Sequence, residues 1–216
     1  MVAAAGEEGS VPTRAGRGRR ADATANREAL LTAAQTMLGA DPHASLDAIA
    51  HAAGLSRRAL YGHFADRESL LREVIAVGAD RFNRIAETTD GPDPRVALAQ
   101  MAARLWREAS AVRASANIAL DDAHVTETVH ALAPLRRRVR ELVAEGVAVG
   151  VFRRDMQEGM LAFLVERTGR ATLRELRPAA SDGAETVVRV VLSIVGVPWT
   201  DQAALLAAHP EILAAE

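Results

Sequence analysis

Apolar residues recur along most of this chain at the three- and four-residue spacing of helices that bury one face. The first such stripe follows Ala25 and is ended by Gly39 and Pro42. Its members are Leu30, Ala33, Ala34, Met37 and Leu38. No stretch alternates apolar and polar residues as a half-buried strand does, and glycine and proline do not recur at strand spacing. The pattern therefore predicts an all-α fold without internal repeats.

Two short helices joined by a turn are predicted at residues 45–64. Ser45 is placed as the N-cap of a helix over residues 46–53, and Ser56 as the N-cap of the helix that follows. Gly54 lies between them, where the positive φ angle of a tight turn is cheap only for glycine. A helix-turn-helix of this kind positions its second helix in the major groove of DNA, where the base edges carry a distinct donor and acceptor pattern.

A longer helix is predicted directly afterwards. Asp66 is placed as its N-cap, with Ser69 three residues on in a loose capping-box arrangement, and the apolar stripe continues as far as Glu87. Gly and Pro at residues 91–94 then break the chain. Further helices are predicted over residues 98–109, 115–131, 135–149, 156–176, 184–195 and 200–208.

The second short helix carries the residues best suited to contact DNA. Arg57 and Arg58 directly follow the N-cap, where the helix dipole disfavours a positive charge, which indicates a role other than helix stability. An arginine there can donate two hydrogen bonds to guanine, and Ala59 is small enough to approach a thymine methyl. The predicted DNA-contact residues are Ser45, Arg57, Arg58, Ala59, Tyr61, His63 and Arg67. Tyr61, His63 and Arg67 are expected at phosphates. An ordinary helical hairpin with solvated arginines is the alternative interpretation.

Four segments of this region closely resemble the N-terminal domain of TetR/AcrR-type transcriptional regulators. They are Leu46-Asp47-Ala48-Ile49-Ala50, Ala53-Gly54-Leu55-Ser56, Leu60-Tyr61-Gly62-His63-Phe64 and Arg67-Glu68-Ser69-Leu70-Leu71. The resemblance implies an all-helical homodimer, usually a repressor, with an N-terminal DNA-binding domain and a variable C-terminal ligand domain. Threonine is common in the family where Ala59 stands, and lysine where Arg67 stands; Arg67 keeps the charge, whereas Ala59 lacks a hydroxyl that could contact DNA.

We therefore predict three parts in the chain. Residues 1–23 are expected to form a flexible basic arm, either a solubilising tail or a segment that contacts phosphates or the minor groove. Residues 24–72 are expected to form a three-helix DNA-binding domain with the helix-turn-helix. Residues 73–216 are expected to form the helical ligand-binding and dimerisation domain.

Composition and charge fit this division. The net charge is −2, but residues 11–72 contain nine Arg against six Asp and Glu, so the N-terminal part is locally basic. The chain has no cysteine, which excludes disulfides and thiolate metal sites. No secretory segment is visible and the longest apolar stretch is too short to span a bilayer, so a cytoplasmic protein without membrane contact is expected.

Two sets of residues in the C-terminal part are candidates for binding. The candidate ligand-pocket residues are Met101, Leu105, Trp106, Asn117, Asp121, His124, Met160 and Phe163, although a Met and aromatic set at helical spacing also suits plain core. The candidate dimer-interface residues are Val187, Val188, Val191, Leu192 and Val195. The family resemblance implies that the last two long helices form a four-helix bundle with those of a second subunit. The helix over residues 184–195 is apolar on more than one face and so permits this, and burial within one subunit is the alternative.

The sequence thus predicts a ligand-responsive, homodimeric repressor that binds a palindromic double-stranded DNA operator. Its small-molecule effector is unknown. No cofactor and no metal are expected, since Asp121, His124 and His130 lack the spacing of a metal site. An enzyme is disfavoured because the chain has no Gly-rich phosphate loop and no Gly-x-Ser-x-Gly elbow. A helical interaction module without DNA binding is the remaining alternative.

Overall fold

A computed structural model describes residues 14–41, 43–111, 125–175 and 182–214, and over these residues the chain is helical without a strand. The helices are α1 (Arg14–Ala40), α2 (Leu46–Ala52), α3 (Arg57–His63), α4 (Arg67–Glu87), α5 (Pro94–Ala111), α6 (Val125–Ala131), α7 (Ala133–Ala148), α8 (Glu158–Glu175), α9 (Gly183–Ile194) and α10 (Trp199–Ala208), followed by a 3₁₀ turn at Pro210–Ile212. The predicted all-α fold is confirmed. In the described part of the chain, no helix has the length and apolar character needed to cross a membrane.

The predicted start signals of α2, α3 and α4 are all used. The Ser45 hydroxyl accepts a hydrogen bond from the Ala48 N–H at 3.1 Å, and the Ser56 hydroxyl accepts one from Ala59 N–H at 3.2 Å. At α4 the cap is reciprocal, with side-chain to backbone bonds in both directions between Asp66 and Ser69. Gly54 has φ +70°, the left-handed conformation that the tight turn requires. Local hydrogen bonds therefore set where each short helix begins.

Helix α1 begins earlier than predicted. The flexible arm was expected to reach residue 23, whereas α1 starts at Arg14. Residues 14–25 contain no apolar stripe that a pattern search could detect, and residues 21–25 are exposed. Alanine and arginine are good helix formers, and a helix already anchored by the buried Leu30 can continue outward on propensity alone. Residues 1–13 lie outside the described residues.

Two hydrophobic cores meet along α4. The first lies among α1 to α4 and includes Leu30, Ile49, Leu60, Phe64, Leu70 and Ile75. The second contains Ile85 and Ala86 from the other end of α4, together with residues of α5 and α7 to α10. Because one continuous helix contributes to both cores, a displacement of α4 in the second core moves the first.

The apolar faces of helix α9 are largely covered by its own chain. It packs most closely on α5 and also on α8. The residues predicted at a dimer interface, Val187, Val188, Val191, Leu192 and Val195, are all buried in this single chain. Their assignment to the interface is therefore corrected: α9 is apolar on several faces because α5 and α8 cover it, which was the alternative interpretation.

Candidate nucleic-acid interface and body cavity

Helix α3 has one exposed, polar side and one side that is buried. Leu60 and Phe64 are buried and hold the helix against α1 and α2, whereas Arg57, Arg58 and Tyr61 are exposed. Tyr61 follows Arg57 by one helical turn, so these two side chains share one side of α3, and Phe64 is the extended C-cap residue whose side chain enters the core. The predicted reading residues thus lie together on one accessible surface.

Arg57 is held by two neighbours. Its Nη1 lies 2.9 Å from Asp47 Oδ2 on α2, and its guanidinium carbon lies 5.5 Å from the centre of the Tyr61 ring. Asp47 was not predicted as a site residue, because a contact between residues ten positions apart leaves no periodic signal in the sequence. Arg58, one position on, has no ion-pair or hydrogen-bond partner among the described residues. The two arginines therefore differ in how far they are oriented before DNA binds.

The remaining predicted contact residues lie around the ends of α2, α3 and α4. Arg67 Nη1 donates to the Ala44 carbonyl at 2.6 Å, which ties the first turn of α4 to the residue before the Ser45 cap. His63 ends α3 and is half-buried, and Ala59 is half-buried as well. The structure thus brings Ser45 and Arg67 close together at two helix N-termini, an arrangement that suits a phosphate oxygen.

Arg27 of α1 is a further residue that the sequence pattern did not single out. Its guanidinium lies 4.8 Å from the centre of the Phe64 ring, and its Nη2 lies 3.0 Å from Glu73 Oε1 on α4. Its Nη1 also donates to the His63 carbonyl at 3.4 Å. One side chain therefore joins α1 to the last turn of α3 and to α4, which fixes the angle at which α3 is presented.

The body of the protein encloses a cavity of about 260 Å³ between α4 and α9. Three of the predicted pocket residues, Met101, Leu105 and Phe163, line it. Most of the wall is apolar, with the side chains of Ile75, Phe82, Leu98, Val129, Leu135, Val139, Leu173, Val187 and Val191. The volume lies just below the usual range for small-molecule sites.

Two predicted pocket residues lie elsewhere, and three fall outside the described residues. Trp106 is buried against Gly183, where only the absence of a Cβ leaves room for the indole. Met160 is 51% exposed on α8, because it lies on the outer side of that helix. These two assignments are corrected. Asn117, Asp121 and His124 lie outside the described residues.

The polar residues of the cavity lie mainly on α7 and α8. Arg136 Nε donates to Glu166 Oε2 at 2.7 Å, and Arg140 Nη1 lies 4.0 Å from Glu166 Oε1. Arg167 and Arg170 line the same side. Thr128 of α6 is the one uncharged polar residue among the described lining residues.

A buried asparagine connects this cavity region to α4. Asn83 Nδ2 donates to the Ala131 carbonyl at 2.9 Å, and Asn83 Oδ1 accepts from the Leu135 N–H at 3.2 Å. The two bonds bridge the break between α6 and α7. Because Leu135 and residues of α6 line the cavity, Asn83 links two segments of the cavity wall to α4.

Comparisons with known proteins agree with this arrangement. Residues 29–74 match the family model described as bacterial regulatory proteins, tetR family. The chain is 29% identical over 156 residues to the HTH-type transcriptional repressor KstR2 of Rhodococcus jostii strain RHA1, covering 68% of this chain and 76% of KstR2.

Two solved structures have the same fold. One is the TetR family transcriptional regulator PfmR from Thermus thermophilus, with a TM-score of 0.67, 21% identity, and coverage of 80% of this chain and 96% of PfmR. The other is RolR in complex with resorcinol, with a TM-score of 0.64, 19% identity, and coverage of 92% of this chain and 97% of RolR. At these identities the two structures support the fold alone.

Proposed function

We propose that this chain, which matches the TetR family model over residues 29–74, is a DNA-binding transcriptional regulator of that family and acts as a homodimeric repressor that a small molecule releases from a palindromic operator. The observation that carries the proposal is the exposed pair Arg57 and Arg58 at the start of a capped helix-turn-helix. Its proposed working place is the cytoplasm, where the operator is, and no catalytic role is proposed.

In the proposed complex α3 enters the major groove. Arg57 and Arg58 donate to guanine, and Ala59 approaches the base edges without a hydroxyl of its own. Tyr61 and His63 donate to phosphate oxygens, and Ser45 and Arg67 bind phosphate at the starts of α2 and α4. Phosphate contacts fix the register, whereas the arginines supply the sequence preference.

The proposed dimer uses the outer faces of α8 and α9. Met160 and Phe163 are large apolar side chains, about half exposed and three residues apart on α8, and Phe163 also lines the cavity. Val190 and Ile194 on α9 are half-buried and can extend the same surface. This surface replaces the buried valines of α9 as the proposed interface. Two α3 helices related by a two-fold axis would read half-sites about 34–36 Å apart.

Release by a ligand is proposed to run from the cavity to α4. Occupation of the cavity displaces α6 and the start of α7, and Asn83 passes the displacement to α4. Since α4 belongs to both cores, the spacing of the two α3 helices changes. The ligand shifts the equilibrium only by its difference in affinity for the two states. The RolR neighbour, which holds resorcinol, supports a small molecule in this class of fold.

Selection of bound DNA from a random pool tests the proposal. We expect a two-fold symmetric sequence with half-sites about one helical turn apart and a guanine in each half-site. A helical interaction module without DNA binding is the second candidate. It would enrich no sequence, and it would lack the steep loss of DNA affinity with rising salt that phosphate contacts produce.

A further inference from the structure

We propose that Arg27 and Glu73 form a positioning pair, which sets the orientation of α3 and so contributes to operator preference without contacting a base. The inference rests on the proposed function in one respect, which is that α3 reads DNA. It adds two residues to the DNA-binding unit, one on α1 and one on α4. Neither belongs to the residues that the sequence predicts at DNA.

Helix α3 has few packing contacts of its own. It has seven residues, of which Leu60 is the buried one, and it packs mainly on α2. A helix this short is not stable alone, so its orientation depends on contacts with the rest of the domain. Arg57 and Asp47 tie the start of α3 to α2. The end of α3 is held by the buried Phe64 and by Arg27.

Arg27 supplies a positive charge where α3 ends. The last carbonyl groups of a helix have no partner within the helix and carry partial negative charge, so a cation is favourable there. The Arg27 Nη1 donates to the His63 carbonyl at 3.4 Å, and the guanidinium carbon lies 4.8 Å from the centre of the Phe64 ring. These two contacts are with consecutive residues, so both are lost together when Arg27 moves.

Glu73 holds the same guanidinium from α4. Its Oε1 lies 3.0 Å from Arg27 Nη2, and the two side chains are each 38% exposed. An ion pair this exposed contributes little to stability, but contacts on both sides of a guanidinium select one arrangement of a long side chain. Because α4 belongs to both hydrophobic cores, the pair connects the end of α3 to the helix along which the two cores meet.

Glu73→Gln is a test in which charge and positioning predict opposite signs. The substitution keeps the size of the side chain and removes one negative charge, which by charge alone strengthens binding to every DNA sequence. Positioning predicts that affinity for the selected operator falls about threefold to tenfold, while affinity for a scrambled duplex is unchanged or higher. Fluorescence anisotropy of the full-length protein at fixed salt measures both affinities. Operator affinity that is unchanged or raised, or that falls only as much as scrambled-duplex affinity, overturns the proposal.

Glu28→Gln is the matched control. Glu28 is an exposed carboxylate on α1, next to Arg27 in the sequence. Its replacement is expected to raise affinity for both duplexes alike, so that their ratio keeps the wild-type value. Urea denaturation is expected to give the same midpoint for the wild type and for Glu73→Gln, because the ion pair is half exposed. A lower operator affinity then reports on α3 in a folded protein.

Arg27→Gln separates positioning from a direct phosphate contact. Positioning lowers the ratio of operator to scrambled-duplex affinity and leaves the salt dependence of operator binding unchanged. A phosphate contact lowers both affinities alike and reduces the salt slope by about one. With Glu73→Gln added, the ratio should fall no further than in Arg27→Gln alone, because the two residues act as one unit. Equal losses on both duplexes, or additive losses in the double variant, overturn the proposal.

The outcome for the pair is separable from the outcome for the repressor. A wild-type protein that enriches no sequence and shows no salt-dependent DNA binding contradicts the proposed function. A wild type that binds its operator, together with a Glu73→Gln variant that keeps the wild-type ratio, contradicts the positioning pair and leaves the proposed function standing.

Discussion

The guanidinium of Arg57 lies 2.9 Å from the carboxylate of Asp47, so the start of α3 is tied to the first turn of α2 across the glycine turn. Both side chains are more than half exposed, and an exposed ion pair of this kind contributes little to stability. The Tyr61 ring also lies close to this guanidinium, with the ring centre 5.5 Å from the guanidinium carbon. The contact therefore serves to orient Arg57, the residue that we propose reads bases.

Removal of the Asp47 carboxylate tests whether this group orients Arg57 for DNA binding or stabilises the fold. Asp47→Ala is expected to change the free energy of unfolding by no more than about 1 kcal/mol. Affinity for non-specific DNA is expected to rise because one negative charge is lost, whereas the ratio of operator to non-specific affinity falls because Arg57 is no longer oriented. Fluorescence anisotropy with operator and scrambled duplexes measures the affinity for operator DNA and the affinity for non-specific DNA. Glu28→Ala, which removes an exposed carboxylate from α1, is the control, and an unchanged ratio in Asp47→Ala refutes the orienting role.

Asn83 is expected to matter for both stability and signalling. Asn83→Leu leaves the Ala131 carbonyl and the Leu135 N–H without their partner, which should lower the free energy of unfolding by about 1–3 kcal/mol. Urea denaturation measures this loss, with Thr36→Val on the exposed side of α1 as a near-neutral control. Ligand affinity should be retained while ligand-induced release from the operator weakens. Full release by the variant would show that the signal takes another route.

Two glycines in the same chain give a matched test of packing. A Cβ added at Gly183 would collide with the Trp106 indole, whereas one added at Gly159 of α8 meets no atom within 4 Å. Gly183→Ala is therefore expected to destabilise the fold by about 1–3 kcal/mol. Gly159→Ala should be neutral or stabilising by up to about 1 kcal/mol, because alanine is the better helix former. Urea denaturation measures the change in the free energy of unfolding for each variant. Changes of the same sign and size in the two variants would contradict this packing.

The cap of α4 gives a pH dependence. The backbone N–H and then the hydroxyl of Ser69 hold the pKa of Asp66 below its ordinary value. A lowered pKa in the folded state stabilises the protein above the pKa of the unfolded state, and this stabilisation is lost as the pH falls through the folded-state pKa. The difference in Tm between the wild type and Asp66→Asn, measured by circular dichroism, should therefore be present at neutral pH and shrink in acid. A difference that is constant with pH would contradict this.

Local chemistry explains why the DNA-binding unit could be predicted from the sequence. Ser45, Ser56 and Asp66 each accept from the N–H group three residues on, and Gly54 acts through its own φ angle. Such signals need no knowledge of the rest of the fold. The start of α1 escaped the same approach because residues 14–25 contain no apolar stripe.

Long-range packing explains what could not be predicted. The apolar character of Val188 and Leu192 was correctly taken to require cover on several sides, but the sequence does not say whether that cover comes from α5 and α8 or from a second subunit. Trp106 packs against Gly183, which lies far along the chain, and therefore does not line the cavity. Its location follows from the packing of α5 on α9, which no local pattern encodes.

The central claim is that the exposed arginines of α3 read the operator, and their replacement tests it most directly. Binding of the selected operator is measured by fluorescence anisotropy at fixed salt for the wild type and for the Arg57→Ala, Arg58→Ala double variant. A second double variant, Arg84→Ala with Arg137→Ala, removes the same charge from exposed positions outside α3. We predict that the α3 variant loses about 1–3 kcal/mol of operator affinity per arginine and accepts other bases at the matching positions, whereas the control variant keeps both affinity and preference. Full operator affinity in the α3 variant would contradict the account.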